Sequence, residues 1–535
     1  MVAADGSSAP PSLRPSRLTG VGWADLGDLL GLSPGPVSRA TVPDLRVSGV
    51  TADSRLVHPG DLYVAASGAT VHGASFTAEA IDRGAVAVLT DRDGEERALV
   101  AATAASTPVA VVGGPRALIP ALADRIYGRP SRQLQLFGIT GTNGKTTTAY
   151  LLQSALRAAG LRVGLIGTIG YQVDDRRLEG PRTTVTTPEA AELHALLAVM
   201  LEEGADAVVM EVSSHALALG RTAGLRFAVA AFTNFGSDHL DFHGDVASYF
   251  AAKASLFTAE RADRAVINVD DARGDELIRQ ALRENLSAVR SVSLDGAADY
   301  AAAERSEAGQ GRTAVTASTP QGPVPFTLGL PGEFNVRNAL TALAMADLVG
   351  VDLDRAASGF ADAVVPGRMQ RVDLGDGAAT VFVDFAHTPQ AVSAVLAGLS
   401  GHRRIVVLGC GGDRDPEKRG PMGAAAAAAA DLVVVTDDNP RSEDPAAIRA
   451  QVLAGARAEA ERNGRAVTIV DGGKRRDAIA AALSASGPDD IVAVLGKGHE
   501  RGQEVAGRVL PFADEDAIRD VWAELHPVGS EGGSR

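Results

Sequence analysis

The chain has 535 residues, 45% hydrophobic and 22% charged, with a formal net charge of -15 and one cysteine, Cys410. A single core seldom grows past about 250–300 residues, so roughly three domains are expected. The acidic balance excludes a general nucleic-acid binder, the lone cysteine excludes an internal disulfide framework, and no uncharged apolar run spans a bilayer, so a cytoplasmic protein without membrane insertion is expected.

In chain order, residues 1–18 and 527–535 are small, polar or Pro-rich and are expected to be disordered tails without chemistry. Nothing in the first stretch resembles a signal peptide. A small α/β domain is expected over 19–132, with short strands at 62–66, 85–90 and 109–112; its most pointed segment is Thr51-Ala52-Asp53-Ser54-Arg55. A central domain, 133–366, carries apolar runs at 134–139, 163–167, 207–211, 228–234 and 265–269 with helical patterns between them, which reads as a mostly parallel sheet covered on both faces. Pro366-Gly367-Arg368 marks the next boundary. Runs at 380–384, 404–408, 432–436, 467–470 and 491–495 make 367–526 a second, Rossmann-like doubly wound unit, in which the alanine tract 424–430 reads as a packed helix.

The run 134–139 breaks into Gly138-Ile139-Thr140-Gly141-Thr142-Asn143-Gly144-Lys145-Thr146-Thr147 and opens a helix. Glycines there let successive N–H groups turn inward on an anion, the helix start adds partial positive charge, Lys145 reaches outer phosphates and the Thr146 hydroxyl can ligate Mg2+. Ile139 stands where the common G-x-x-x-x-G-K-[ST] form has its first glycine, so the glycines read G-x-x-G-x-x-G-K-T. An ATP-type ligand follows.

Other polar groups also fall just after strands, where open α/β sheets place ligands. Glu211 ends a strand before Val212-Ser213-Ser214-His215 and can hold Mg2+ with Thr146, or simply cap a helix. Asp238-His239-Leu240-Asp241-Phe242-His243 could form a metal or phosphate site or an ordinary surface loop. Lys253, on a helix beginning near Val246, reads by itself as a solvated lysine, since an ammonium cannot ligate a cation. In the third domain, Gly409 to Asp415, Asp437-Asp438-Asn439-Pro440-Arg441 and Gly496-Lys497-Gly498-His499-Glu500 each follow a strand. Arg414 and Arg441 suit carboxylates, Asp438 and Glu500 suit an ammonium, and together they imply a zwitterionic ligand.

From Thr51 to about Phe512 the chain resembles the Mur ligase family, through TADSR, GITGTNGKTT, TTPE, EVSSHAL, DHLDFHG, AAK at 251–253, GEFNVRNAL, PGRMQ, VDFAHTP, GCGGDRD, DDNPR and GKGHE. Within the family it is most similar to the ligases that add meso-diaminopimelate to UDP-N-acetylmuramoyl-L-alanyl-D-glutamate. The resemblance implies an N-terminal UDP-substrate domain, a central ATPase domain and a C-terminal amino-acid domain. It implies ATP, with Mg2+, at Gly141, Thr142, Asn143, Gly144, Lys145, Thr146 and Thr147, bordered by Asn335, Arg368 and Asp384. It implies uridine contacts at Ala52, Ser54, Ala69, Thr70 and Val71, and sugar-peptide contacts at Thr186, Thr187, Ser213 and Arg221. Lys145, Glu211, His239 and Lys253 are the implied catalytic set, with Lys253 carbamylated into an Mg2+ ligand and His239 near a second Mg2+. Diaminopimelate is implied at Arg414, Asp438, Asn439, Pro440, Arg441, Gly496 and Glu500; relatives that add lysine lack an arginine at the place of Arg441. Leu219 replaces a glutamine of some relatives, so one contact to the UDP substrate is in doubt. A monomer is expected. Folylpolyglutamate synthetases share the phosphate cradle but lack the TADSR and DNPR segments, and a scaffold that had lost catalysis would not keep Lys145, Glu211, His239 and Lys253.

Overall fold

Short runs of β-branched and aliphatic residues ended by glycine or polar loops form the strands of three main sheets, of four, six and eleven strands. The computed structural model describes residues 13–30, 44–68, 70–180, 185–236, 238–309, 311–399 and 403–527. They fall into two compact units, the first made of 1–301 and 340–359, the second of 302–339 and 360–535.

In the first unit, a parallel four-stranded sheet runs in the order Gly49–Thr51, Asp61–Ala65, Ala87–Thr90, Val109–Val111. A larger sheet places Gln135–Thr140 between Ala207–Glu211 and Val229–Phe232, all parallel, flanked by Val163–Gly167 on one side and Arg264–Asn268 on the other. The expected strands are thus found within two residues of their expected ends. The sheet's far edge turns antiparallel at Gly170–Val173 and Arg176–Arg177.

The expected N-terminal and central domains share one compact unit because the helix Ala190–Glu202 serves both cores. Its Ala190, Ala195 and Ala198 pack with Val50, Leu62 and Leu122, while Leu193, Leu196, Leu197 and Met200 pack with Leu136, Val208 and Phe227. Residues 13–17, expected in a tail, are tied to the same region. Arg14 pairs with Asp61 at 2.8 Å and also bonds Tyr127, and the Ser16 and Arg17 amides donate to Glu202 at 2.8 and 2.7 Å. A buried carboxylate such as Asp61 needs a cation, and Arg14 supplies it across 47 residues of sequence. Residues 1–12 of the expected N-terminal tail, and 528–535, lie outside the described residues.

In the second unit, the order is Gln370–Val372, Thr380–Asp384, Ile491–Leu495, Arg404–Leu408, Leu432–Thr436, Thr468–Gly473, parallel except for the first pair. The alanine tract lies in the helix Arg419–Ala429, with Ala426 and Ala427 buried. The chain passes between the two compact units at 301/302, 339/340 and 359/360. The hairpin Thr313–Thr319/Gly322–Leu328 joins this unit because Phe326 packs on Phe360, ring centroids 5.1 Å apart, and the Gly329 amide donates to Phe360 O at 3.2 Å. Among the described residues no helix is long and apolar enough to cross a membrane.

Candidate active site

The phosphate cradle follows the central strand of the first unit. Gly141 has φ +150°, and a Cβ there would stand 1.9 Å from Thr233 Oγ1, so only glycine lets the loop close on the neighbouring strand end. Gly144, at φ +86°, leads into the helix Lys145–Ala158. The loop is braced from Asn234: its Oδ1 accepts from the Asn143 amide at 2.9 Å, its Nδ2 donates to Asn143 O at 3.0 Å, and its O accepts from the Thr142 amide at 2.9 Å. Lys145 Nζ donates to Gly141 O and Thr142 O, each at 2.9 Å.

Thr146 and Glu211 come together. The buried Thr146 hydroxyl donates to Glu211 Oε2 at 2.9 Å, and Glu211 also accepts from the Thr168 amide at 2.8 Å and hydroxyl at 3.2 Å. Glu211 therefore faces the cradle, not the start of the helix after it, whose capping is done by Ser213 Oγ, accepting from the Ala216 amide.

Lys253 departs from its bland reading. On the helix Val246–Ala254 it is only 2% exposed, donates to Gly141 O at 2.8 Å, and lies 4.5 Å from the centre of the Tyr249 ring. Burial and, secondarily, the nearby Lys145 charge push its ammonium down to about 6. At neutral pH the amine is therefore mostly uncharged and nucleophilic.

His239 takes a left-handed backbone, φ +52°, and is half exposed, 3.3 Å from Asp238. Its ring meets those of His215 at 4.7 Å and Tyr249 at 6.2 Å, and His243 Nε2 lies 3.0 Å from Ser214 Oγ. Burial and the neighbouring imidazoles hold His215 and His243 below the ordinary histidine range. Among the described residues no group of three or more His, Cys, Asp or Glu is arranged to hold a metal ion.

Of the residues expected at the UDP substrate, Thr187 and Ser213 meet: Thr187 Oγ1 donates to Glu211 O at 2.9 Å and accepts from the Ser213 amide at 3.1 Å. Arg221 donates to Thr187 O at 3.1 Å and pairs with Glu189 at 2.7 Å. Thr186 Oγ1 is 3.2 Å from Thr168 Oγ1, which links this group to Glu211. Ser54 is buried and donates to Glu79 at 3.0 Å; Ala52 is half-buried, Thr70 and Val71 are exposed, and Ala69 lies outside the described residues. Leu219 is 56% exposed.

In the second unit, Asp384 ends a strand and accepts from the Met369 amide at 2.7 Å and the Ala386 amide at 2.8 Å. Burial raises its carboxyl above the usual range, opposed by the Arg368 charge. Arg368 stacks over Phe385 at 4.6 Å, while buried Asn335 donates to Pro331 O at 2.7 Å. A Cβ on Gly367, φ +64°, would stand 2.0 Å from the His499 amide, so the Pro-Gly-Arg turn and the Gly-Lys-Gly-His-Glu loop fit only with glycine between them.

The loops after Leu432–Thr436 and Ile491–Leu495 interlock. Asn439 Nδ2 donates to Glu500 Oε2 at 2.8 Å, and Gly496 places its Cα side against Asp438 Oδ2. Pro440 precedes Arg441, whose left-handed backbone (φ +52°) sets Nε 3.0 Å from Glu504 and Nη1 2.6 Å from Gly412 O. Burial raises the Asp438 carboxyl, opposed by Arg475 and Lys497; at Glu500 burial is outweighed by Lys497 and the Asn439 bond, leaving it below the usual range. Arg414 is exposed and makes no hydrogen bond or ion pair among the described residues.

The geometry is matched by sequence. Profiles described as the Mur ligase family, catalytic domain, the Mur ligase middle domain and the Mur ligase, glutamate ligase domain match residues 46–123, 139–346 and 367–498. The UDP-N-acetylmuramoyl-L-alanyl-D-glutamate--2,6-diaminopimelate ligase of Streptomyces coelicolor is 46% identical over 521 residues, 96% of this chain and 98% of that one. The chain belongs to the Mur ligase family. The Streptomyces avermitilis protein of the same name is 44% identical over 520 residues, again 96% of this chain and 98% of the relative. A solved structure of a ligase with that name is 30% identical, covers 93% of this chain and 98% of its own, and superposes with a TM-score of 0.67. Mur ligases are ATP-dependent, amide-forming enzymes with this three-part α/β architecture, as expected from the motifs.

Several side chains that shape these sites escape sequence reading. Thr168 shares Glu211, Asn234 braces the cradle, Lys497 bonds Asn439 and Glu500, and Glu504 bonds Arg441. Lys497 carried a signal only as a member of the Gly-Lys-Gly-His-Glu segment, and Asn234 only as the last residue of the run 228–234.

Proposed function

We propose that this Mur ligase joins meso-diaminopimelate to UDP-N-acetylmuramoyl-L-alanyl-D-glutamate, consuming ATP in peptidoglycan precursor synthesis. The terminal carboxylate of the dipeptide attacks the γ-phosphorus of ATP, ADP leaves, and an acyl phosphate forms. The amine of the diamino acid then attacks the acyl carbon, loses a proton, and expels inorganic phosphate as the amide forms. A carboxylate is a poor electrophile, so phosphoryl transfer supplies the leaving group, and the protein contributes mainly positioning and charge neutralisation.

Cradle amides and Lys145 bind the phosphates. The Thr146 hydroxyl and Glu211 carboxylate, 2.9 Å apart, are the hard oxygen donors that Mg2+ takes, and they would hold it. Bound there, Mg2+ would supply positive charge against the phosphate oxygens. Lys253 fits a further role because its uncharged Nζ can attack CO2 and shed a proton, becoming an N-carboxylate, an oxygen ligand that the ammonium is not. His239 would border a second Mg2+. Thr187, Ser213 and Arg221 would hold the sugar-peptide, Ala52, Ser54 and residues 69–71 the uridine, and Asn335, Arg368 and Asp384 the nucleotide.

The observation that supports the choice of amine donor is the gathering of Asp438, Asn439, Arg441, Gly496 and Glu500 at one sheet edge, with Glu500 held ionised by Lys497. Carboxylates there suit the donor's ammonium groups, while Arg441, with Arg414 on the neighbouring loop, suits the second carboxylate that distinguishes diaminopimelate from lysine. The test is phosphate release from ATP with each co-substrate omitted in turn. Turnover that needs both the UDP-dipeptide and diaminopimelate is expected; hydrolysis indifferent to either would overturn the assignment.

A further inference from the structure

Beneath the donor loops lies a cation with no task in the reaction just described. Lys497 sits between Gly496 and Gly498 and its side chain is fully buried. Its Nζ donates to Asn439 Oδ1 at 3.1 Å and to Glu500 Oε2 at 3.0 Å. Asn439 Nδ2 donates to the same Glu500 oxygen, and the Glu504 amide donates to Asn439 Oδ1 at 2.9 Å. The ammonium, the amide and the carboxylate therefore close a triangle in which each fixes the other two. A second buried cation, Arg475, is gripped by Asp514 at 2.6 and 2.7 Å and leaves Nη1 3.9 Å from Asp438 Oδ2.

A buried ammonium costs several kcal/mol of lost hydration unless its bonds are remade. Here they are remade with two side chains that face the proposed donor. An apolar residue of the same length would fill the space but leave Asn439 Oδ1 one donor short and Glu500 without its counter-charge.

We propose that Lys497 is a positioning residue for the amine donor: it touches no substrate atom but locks Asn439 and Glu500 in the arrangement that receives the zwitterion. The inference rests on the donor-site reading of those two residues. Locked partners lose little freedom on binding, so removing the lock weakens binding of the donor more than turnover of the bound complex.

Steady-state kinetics of the full chain test it. Lys497→Met is expected to raise KM for meso-diaminopimelate by about tenfold or more, with kcat and the KM for ATP within about threefold. In a cycle with Glu500→Gln the double variant should be no worse than about twice the weaker single variant, because residues acting through one another are not additive. A diaminopimelate KM within about twofold of the parent, a fall of kcat together with every KM rising, or full additivity in the cycle each overturns the inference. If Lys497→Met does not fold, Lys497→Arg carries the same comparison: it keeps the charge but spreads its donors, so KM should rise about threefold to tenfold, and no change overturns the proposal. Glu500→Gln alone separates the two levels. If it leaves the diaminopimelate KM unchanged, the donor-site reading itself is wrong; if it raises that KM while Lys497→Met does not, only the role of Lys497 is wrong.

Discussion

The phosphate cradle of the first unit and the donor loops of the second solve opposite problems with opposite means. The cradle is proposed to recognise an anion common to all nucleotides, and it is made of backbone: glycines at 141 and 144, carbonyls that take Lys145, and an asparagine that braces the loop. The proposed donor loops would have to tell one amino acid from another, and they are made of side-chain charge, with Asp438, Lys497 and Arg475 buried and Glu500 partly exposed. Backbone fixes a shape that most substitutions leave alone, whereas a buried charge network changes with any member. The first region should therefore fail in rate and the second in selectivity.

The largest effect expected is on rate. Lys253→Ala removes the amine proposed to become an oxygen ligand, and kcat should fall by on the order of 10²–10³, as when one preorganised electrostatic group is deleted. Activity should return in part when a short carboxylic acid is added, because the group proposed to be lost is a carboxylate. Failure of any such acid to restore turnover, together with no carboxyl mass increment on Lys253 of the parent, would show that the lysine acts as an amine.

Arg441→Ala should leave rate with diaminopimelate at saturation less affected but collapse its advantage over lysine. A truncated charge-assisted pair costs about 2–5 kcal/mol, so the ratio of kcat/KM for the two amino acids should drop by at least about thirtyfold. A preserved ratio would place discrimination elsewhere, with Arg414 the next position to examine.

The same contrast explains what could be read from the chain alone. Strands such as 163–167, 207–211, 380–384 and 491–495 were legible to the residue because buried parallel strands are continuous apolar runs bounded by glycine or polar loops. The cradle was legible because its function demands a fixed local order of glycine, lysine and threonine. Lys497 was not, because a lysine between glycines has the same letters whether solvated or buried, and one of its two partners, Asn439, lies 58 residues away. Arg14 was hidden for a related reason: a Pro-rich, polar segment looks like a tail until its pairing with Asp61, 47 residues on, is seen. The sharing of the helix Ala190–Glu202 between two cores escaped notice because a helix apolar on both faces shows little amphipathic rhythm.

A smaller effect separates stability from catalysis at Lys253. In the fold its ammonium is lost near pH 6, against 10.5 in the unfolded chain. Between those values the unfolded chain binds a proton that the fold does not, so stability rises with pH across the window, while below about pH 6 both states are charged and the full burial cost remains. In CO2-free buffer, Lys253→Met should raise the melting temperature by about 2–4 °C at pH 6, the gain shrinking toward pH 10, even though activity is gone. A gain that did not depend on pH would mean that packing, not charge, sets the difference.

The smallest effect tests the edge of the UDP site. Leu219 follows the helix Ser214–Ala218 and is 56% exposed, so Leu219→Gln removes little packing and should change stability by less than about 0.5 kcal/mol. If the position faces the UDP substrate, the added amide can make one hydrogen bond worth about 0.5–1.5 kcal/mol net, and KM for the UDP-dipeptide should fall by about threefold while the KM for diaminopimelate stays fixed. An equal fall in both would point to a general change in the first unit, and no fall at all would remove Leu219 from the substrate's path, leaving recognition of the sugar-peptide to Thr187, Ser213 and Arg221, which are already bonded to one another.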